Sequence, residues 1–101
     1  MKAYHVTPRT NLHSIFENGL IPQVGEYSKK MNEETTAVWL FPSLADAKEM
    51  KSVWLEGFYG PDLVTLEIEL PDEYPLGYTG SDYEMFTVKE LPPEWIKVVD
   101  E

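Results

Sequence analysis

The stretch Leu63-Val64-Thr65-Leu66-Glu67-Ile68-Glu69-Leu70 alternates apolar and polar residues almost without a break. In a β-strand, successive side chains point to opposite faces, so this alternation separates two kinds of surface. One face carries only the aliphatic side chains of Val64, Leu66, Ile68 and Leu70. The stretch therefore predicts a strand with one face against the core.

Four further segments around this strand also predict β-structure. Residues 2–7 alternate loosely before Pro8, and residues 37–41 form an apolar run that ends at Pro42. Proline cannot donate a hydrogen bond to a ladder, so it marks strand ends. After a turn-rich stretch, 71–81, we expect strands at 84–88 and, beyond the Pro92-Pro93 break, at 95–99.

Two short helices are predicted between the first strands. Thr10 or Asn11 can act as the N-cap of the first helix, and Gly19 stands where a left-handed C-cap residue is expected. Ser43 and Asp46 resemble a capping box and predict the start of the second helix. Gly57 and the Gly60-Pro61 pair should end it. The polar stretch 21–36 is predicted to be a long loop.

The order of these elements is βαβα followed by several strands, which is typical of an α+β fold with a mainly antiparallel sheet. The chain has 101 residues, of which 43 % are hydrophobic. This length and composition predict a single folded domain over residues 1–101.

The net charge of −10 comes from 18 acidic and 8 basic residues. Such a surface repels phosphate backbones, so a nucleic-acid partner is disfavoured. The acidity serves either solubility or the binding of a basic protein partner, with imitation of nucleic acid as a special case. No apolar run is long enough for a membrane span, and the first residues do not resemble a signal peptide, so we expect a cytoplasmic protein without a membrane partner.

Several kinds of chemistry lack their usual motifs. The sequence has no cysteine, no Gly-rich phosphate loop, no paired-histidine metal motif and no Gly-x-Ser-x-Gly elbow. The adjacent carboxylates Asp72-Glu73 and Glu33-Glu34 are common on acidic surfaces, so we predict no metal site.

His5 and Glu84 are the two chemically capable residues in strand-like apolar surroundings. A lone histidine in a strand is often only structural, and a glutamate among 18 acids is often only solvent-facing. The alternative is that both line one cleft for a nucleotide-like ligand.

Five segments follow one another in the chain: Tyr4-His5-Val6-Thr7, Leu12 to Ile15 leading into Gly19-Leu20-Ile21-Pro22, Ala37-Val38-Trp39-Leu40-Phe41, Tyr83-Glu84-Met85-Phe86-Thr87-Val88 and Pro93-Glu94-Trp95-Ile96. Taken in this order they resemble the ADP-ribosyltransferase fold, in the branch with His, Tyr and Glu in its motif strands. This branch includes the poly-ADP-ribose polymerases and the RNA 2'-phosphotransferases.

The resemblance implies NAD as substrate and a role for each matching residue. His5 would bind a ribose hydroxyl, with Thr7 following on the same face. Trp39 stands where the family usually has a tyrosine that stacks on nicotinamide, and an indole can stack as well. Glu84 would be the catalytic glutamate that stabilises positive charge on the ribose.

Two further contacts to NAD are expected. Arg9, directly after the first strand, is a candidate for the pyrophosphate, because guanidinium groups bind phosphate well. Tyr27 and Ser28 lie in the loop that would cover the cofactor.

Two functions remain open from the sequence, besides a stable domain whose site has decayed and that binds neither cofactor nor partner. The first is transfer of ADP-ribose from NAD to a protein or small-molecule acceptor. The alternative is a catalytically inactive acidic interaction module, of a phage or toxin-system type, that binds a basic partner surface.

Overall fold

The computed structural model describes residues 1–22, 37–78, 80 and 84–100, without the side chains of Trp54 and Phe58. The strands are β1 (Lys2–Pro8), β2 (Val38–Leu40), β3 (Leu63–Glu69), β4 (Gly77–Tyr78), β5 (Met85–Thr87) and β6 (Ile96–Asp100). The helices are α1 (Leu12–Asn18), α2 (Leu44–Met50) and α3 (Glu56–Tyr59), with 3₁₀ turns at Arg9–Asn11 and Pro93–Trp95.

The strands form two antiparallel sheets that meet at one point. The first sheet has the order β1-β3-β6 and the second the order β2-β5-β4. A single antiparallel bridge between Tyr4 of β1 and Phe41, directly after β2, joins them. The strands therefore follow one another as β6-β3-β1-β2-β5-β4, and the predicted α+β fold with antiparallel sheet is confirmed.

The core lies between the two sheets and α1. The aliphatic face of β3 is fully buried, as its alternation predicts. From the second sheet Leu40 and Met85 join it, and α1 contributes Ile15. The opposite face of β3 is also covered near its start, where Leu63 and Thr65 are buried. The helical segment that begins with α2 contacts β1 and thus adds a second layer there.

Local signals account for the start of α2. The Ser43 hydroxyl accepts a hydrogen bond from the Asp46 N–H at 3.1 Å, so Ser43 is the N-cap of α2 as predicted. The Asp46 carboxylate accepts from the Ser43 hydroxyl at 2.9 Å, which differs from the bond to the Ser43 N–H that completes a capping box. From α2 the chain continues through a π-helical turn, Lys51–Leu55, into α3. In this turn the Glu56 N–H bonds to the Lys51 carbonyl, five residues back.

The start of α1 is built differently from the prediction. Asn11 occupies the N-cap position but makes no capping bond through its side chain. Its amide instead donates to the Thr7 hydroxyl at 3.0 Å. Gly19 ends the helix with the positive φ of 84° that only glycine adopts readily.

Most of the predicted 21–36 loop lies outside the described residues. None of the described helices is long and apolar enough to cross a membrane.

Candidate functional site

β1 and β2 touch at one bridge and then separate. At the bridge the Tyr4 N–H donates to the Phe41 carbonyl at 2.9 Å, and the Phe41 N–H donates to the Tyr4 carbonyl at 2.7 Å. In a continued antiparallel ladder the next bonded pair would be Val6 and Trp39. Instead, Nδ1 of His5 lies 2.7 Å from the Trp39 carbonyl oxygen. We call this place, formed by residues 4–6, Trp39 and Phe41, the β1–β2 junction.

The hydrogen bond to Trp39 fixes the state of the His5 ring. A carbonyl oxygen only accepts hydrogen bonds, so Nδ1 carries the proton. Burial lowers the pKa of His5 and outweighs the opposing effect of this hydrogen bond, so the ring is neutral at pH 7. Nε2 is therefore an acceptor at neutral pH.

The main chain of Val6 offers one donor and one acceptor at the junction. Met1 and Leu70 exchange main-chain bonds, so the odd-numbered residues of β1 pair with β3 and the even-numbered ones face away. Tyr4 uses its two groups in the bridge. Among the described residues the ladder to β2 stops there. The Val6 N–H and C=O therefore point to the side where β2 has turned away.

An aromatic row crosses the second sheet on its outer face, the face turned away from the core. Trp39 pairs with Phe86 and Phe86 pairs with Gly77, so these three residues lie side by side on adjacent strands. The Trp39 and Phe86 rings are tilted by 52° with centroids 5.2 Å apart. A Cβ on Gly77 would overlap the Phe86 ring, so only glycine leaves room for it.

The indole nitrogen of Trp39 is buried and, within the described part of the chain, has no hydrogen-bond acceptor. Trp39 as a residue remains partly exposed. Buried polar groups without a partner are rare and call for a physical reason.

Glu84 lies just before β5 and two residues from Phe86. The β2–β5 register pairs Leu40 with Met85, so the next step would bring Glu84 opposite Phe41 of the junction. Its side chain is partly buried. If the alternation of β5 continues by one residue, Glu84 shares the outer face with Phe86. The predicted strand at 84–88 is observed one residue shorter at each end.

The structure brings His5 and Trp39 together, because the His5 ring contacts the Trp39 main chain. Trp39 also contacts the Phe86 ring, and Glu84 precedes Phe86 by two residues in the chain. However, His5 follows the inward-facing residues of β1, whereas the Trp39 indole lies on the outer face. The imidazole therefore lies on the core-facing side of the gap between β1 and β2, and the indole lies on its outer side.

Thr7 and Arg9 have partners of their own. Thr7 is buried, and its hydroxyl accepts from the Asn11 amide. Arg9 Nε donates to Asp62 Oδ1 at 2.9 Å at the surface. If Thr7 or Arg9 bound NAD, that contact would compete with the hydrogen bond to Asn11 or to Asp62. The predicted covering residues, Tyr27 and Ser28, lie outside the described residues.

A cavity of about 210 Å³ lies elsewhere, on the first sheet beside Trp95. Its charged wall is an ion-pair group in which Lys2 and Lys97 both approach Glu67 Oε1, at 3.5 and 3.3 Å. Burial would raise the pKa of Glu67, but the hydrogen bond from Lys97 and the charge of Lys2 outweigh it and lower that pKa. Its carboxylate is thus already neutralised by lysines. In the part of the chain that is described, no three His, Asp or Glu side chains are grouped to hold a metal ion.

Comparisons with protein-family models, curated proteins and solved structures gave no match for this chain.

Proposed function

We propose that the protein binds NAD at the β1–β2 junction and transfers its ADP-ribose to a protein or small-molecule acceptor. The observation that carries the proposal is the neutral His5 ring, held by the Trp39 carbonyl at the point where the two strands separate. A cytoplasmic location, where NAD is a common metabolite, is part of the proposal.

The nicotinamide end of NAD carries a carboxamide, which has one carbonyl acceptor and one N–H₂ donor. The Val6 main chain offers the complementary N–H and C=O on the side where the ladder to β2 has ended. Two hydrogen bonds to the same residue would fix both the position and the plane of the ring.

The ribose end is suited to His5. With Nδ1 bonded to Trp39, Nε2 accepts a hydrogen bond from a ribose hydroxyl, which is always able to donate. No charge has to be neutralised for this contact, because the imidazole is neutral at pH 7.

A nucleophilic atom of the acceptor bonds to the ribose anomeric carbon and releases its proton to solvent, while the bond between that carbon and the nicotinamide nitrogen breaks. The electron pair of that bond stays on the ring nitrogen, which becomes neutral, and the ribose develops oxocarbenium character. A carboxylate at Glu84 would stabilise this positive charge as it forms. The aromatic row of Trp39 and Phe86 offers a surface for stacking of the leaving ring.

The test is a titration of the purified protein with NAD, followed by tryptophan fluorescence, with release of nicotinamide measured in parallel. His5→Ala should abolish binding. The matched control His13→Ala changes an exposed histidine on α1 that pairs only with Glu17 among the described residues, and it should bind as the wild type does. Absence of binding at millimolar NAD, or equal loss in both variants, would contradict the proposal.

A second candidate function is the acidic interaction module. It is favoured because several basic side chains are already paired with carboxylates of the same chain. Four basic residues, Lys2, Arg9, Lys51 and Lys97, form ion pairs with carboxylates. Within the described residues, exposed carboxylates such as Glu49, Asp72 and Glu73 therefore outnumber the basic side chains that remain to pair with them. A basic partner captured from cell extract should dissociate as salt rises from 0.05 to about 0.5 M, since exposed charges are then screened. A complex that is insensitive to salt would exclude this function.

A further inference from the structure

We infer that the Trp39 indole N–H is a specificity-determining donor that binds an acceptor oxygen of the ligand at the β1–β2 junction. The inference rests on the proposed function and adds to it a contact that stacking alone does not require. It is based on two observations. The indole N–H of Trp39 is a buried donor without a partner in the described part of the chain, and Trp39 is held by Phe86 at its ring and by His5 at its main chain.

The first step concerns the unsatisfied donor itself. An indole N–H can only donate, and its direction is set by the ring, so it cannot turn towards another acceptor. Leaving a buried donor unpaired is unfavourable, because the donor has lost its hydrogen bond to water without gaining another. The other buried polar atom without a partner in the described chain is the Thr65 hydroxyl. That group can rotate about its C–O bond, and Thr65 is fully buried in the central strand, out of reach of a ligand.

The second step concerns how the ring is held. His5 binds the Trp39 carbonyl and thereby fixes the main chain at this residue. Phe86 packs against the indole, and Phe86 itself lies over Gly77, where no side chain displaces it. The donor is therefore oriented before a ligand arrives, which limits the entropy lost on binding.

The third step concerns the ligand chemistry. A donor without acceptor capacity selects a carbonyl, phosphate or ribose oxygen and rejects a group that can only donate. Tyrosine, which the resemblance leads one to expect here, has a hydroxyl that both donates and accepts. Tryptophan at position 39 thus requires a partner with a free lone pair and excludes a partner that can only donate. NAD carries such oxygens on its carboxamide, its riboses and its pyrophosphate.

The test uses NAD and the full chain labelled with ¹⁵N. The three tryptophans give three indole N–H resonances, which single Trp→Phe variants assign. We expect the Trp39 resonance to move downfield on saturation with NAD and its exchange with water to slow. Trp39→Phe keeps an aromatic ring but lacks the donor, and it should weaken NAD binding about tenfold.

Trp95→Phe is the matched control, since Trp95 packs edge-on against Tyr74 with ring centroids 5.8 Å apart, away from the aromatic row. Its NAD affinity should equal that of the wild type. Binding of NAD with an unmoved Trp39 indole resonance, or with equal affinity in Trp39→Phe, would overturn this inference and leave the proposed function standing. Failure of the wild type to bind NAD would overturn both.

Discussion

Nδ1 of His5 donates a hydrogen bond to the carbonyl oxygen of Trp39, 34 residues away in the chain, at 2.7 Å. This bond takes the place of the main-chain bond that would continue the ladder between β1 and β2. It ties the two sheets together where they begin to separate. The same bond determines that Nε2 is the acceptor nitrogen, so a structural role and a binding role are compatible in one side chain.

The lowered pKa of His5 predicts how stability depends on pH. The folded state binds the proton more weakly than the unfolded state, for which the pKa is 6.5. Below about pH 6.5, His5 is protonated more in the unfolded state than in the folded state. The stability that neutral His5 contributes to the folded state is therefore fully present above pH 6.5, and it is lost as the pH falls towards the folded pKa. One such proton changes the free energy of unfolding by at most about 1.4 kcal/mol per pH unit.

The measurement is urea unfolding between pH 5 and 8 for the wild type, His5→Gln and His13→Gln. His5→Gln should lose less stability on acidification than the wild type does, while His13→Gln should follow the wild type. Parallel pH profiles for all three proteins would show that His5 does not titrate differently in the folded state.

Glu84→Gln should separate binding from turnover. Glutamine keeps the shape of the side chain but cannot stabilise an oxocarbenium ion by charge, and the loss of one such group typically lowers a rate by about 10²–10³. We expect nicotinamide release to fall by this factor with the dissociation constant for NAD changed less than threefold. Glu90→Gln, an exposed residue beyond β5, is the control. Unchanged release from Glu84→Gln would remove Glu84 from the mechanism.

Elements with strong local signals could be predicted from the sequence. The alternation in residues 63–70 places β3 within one residue, and Ser43 as N-cap gives the start of α2. β4 has only two residues, too few for any periodicity, and it lies within the stretch predicted as turns. The π-helical turn 51–55 has no sequence signature of its own, because its apolar spacing resembles that of an α-helix.

The sequence suggested which residues to consider for the candidate site. It did not reveal which of them contact one another. Sequence reasoning singled out His5, Trp39 and Glu84, but a side chain that bonds to a distant carbonyl depends on strand register, which a single sequence does not reveal. The sequence did not reveal Phe86 as the neighbour of Trp39, or Gly77 as the neighbour of Phe86. Glu84 and Phe86 are two residues apart, so strand alternation was the one signal that could have suggested Phe86.

Gly77→Ala should disturb the aromatic row. The new methyl group would overlap the Phe86 ring, so the ring must move away from its contact with Trp39. Overpacking of this kind typically costs about 1–3 kcal/mol, and we expect this loss in urea unfolding together with a changed near-ultraviolet circular dichroism spectrum.

Gly57→Ala is the control for Gly77→Ala. A Cβ at Gly57 meets no atom within 4 Å, and the residue lies within α3, so alanine should stabilise the protein by up to about 1 kcal/mol. Equal stability of the two variants would mean that the Phe86 ring has room to adjust and does not hold Trp39 in position.

Gly19→Ala and Gly60→Ala separate backbone strain from steric overlap. Both glycines have positive φ, 84° and 89°, with ψ near 180°, a region that only glycine enters easily, and an alanine there costs about 1–3 kcal/mol. A Cβ at Gly60 meets nothing within 4 Å, whereas one at Gly19 would overlap the Leu91 carbonyl. That carbonyl also accepts the Leu20 N–H at 2.9 Å, in a bridge that holds the end of α1 against the segment before β6. Gly19→Ala should therefore be less stable than Gly60→Ala by at least about 1 kcal/mol in urea unfolding, because a main-chain atom cannot move aside as a flexible side chain can. If the two variants unfold at the same urea concentration, backbone strain from the positive φ alone explains the glycine at position 19. The bridge between Leu20 and Leu91 would then tolerate a methyl group at position 19.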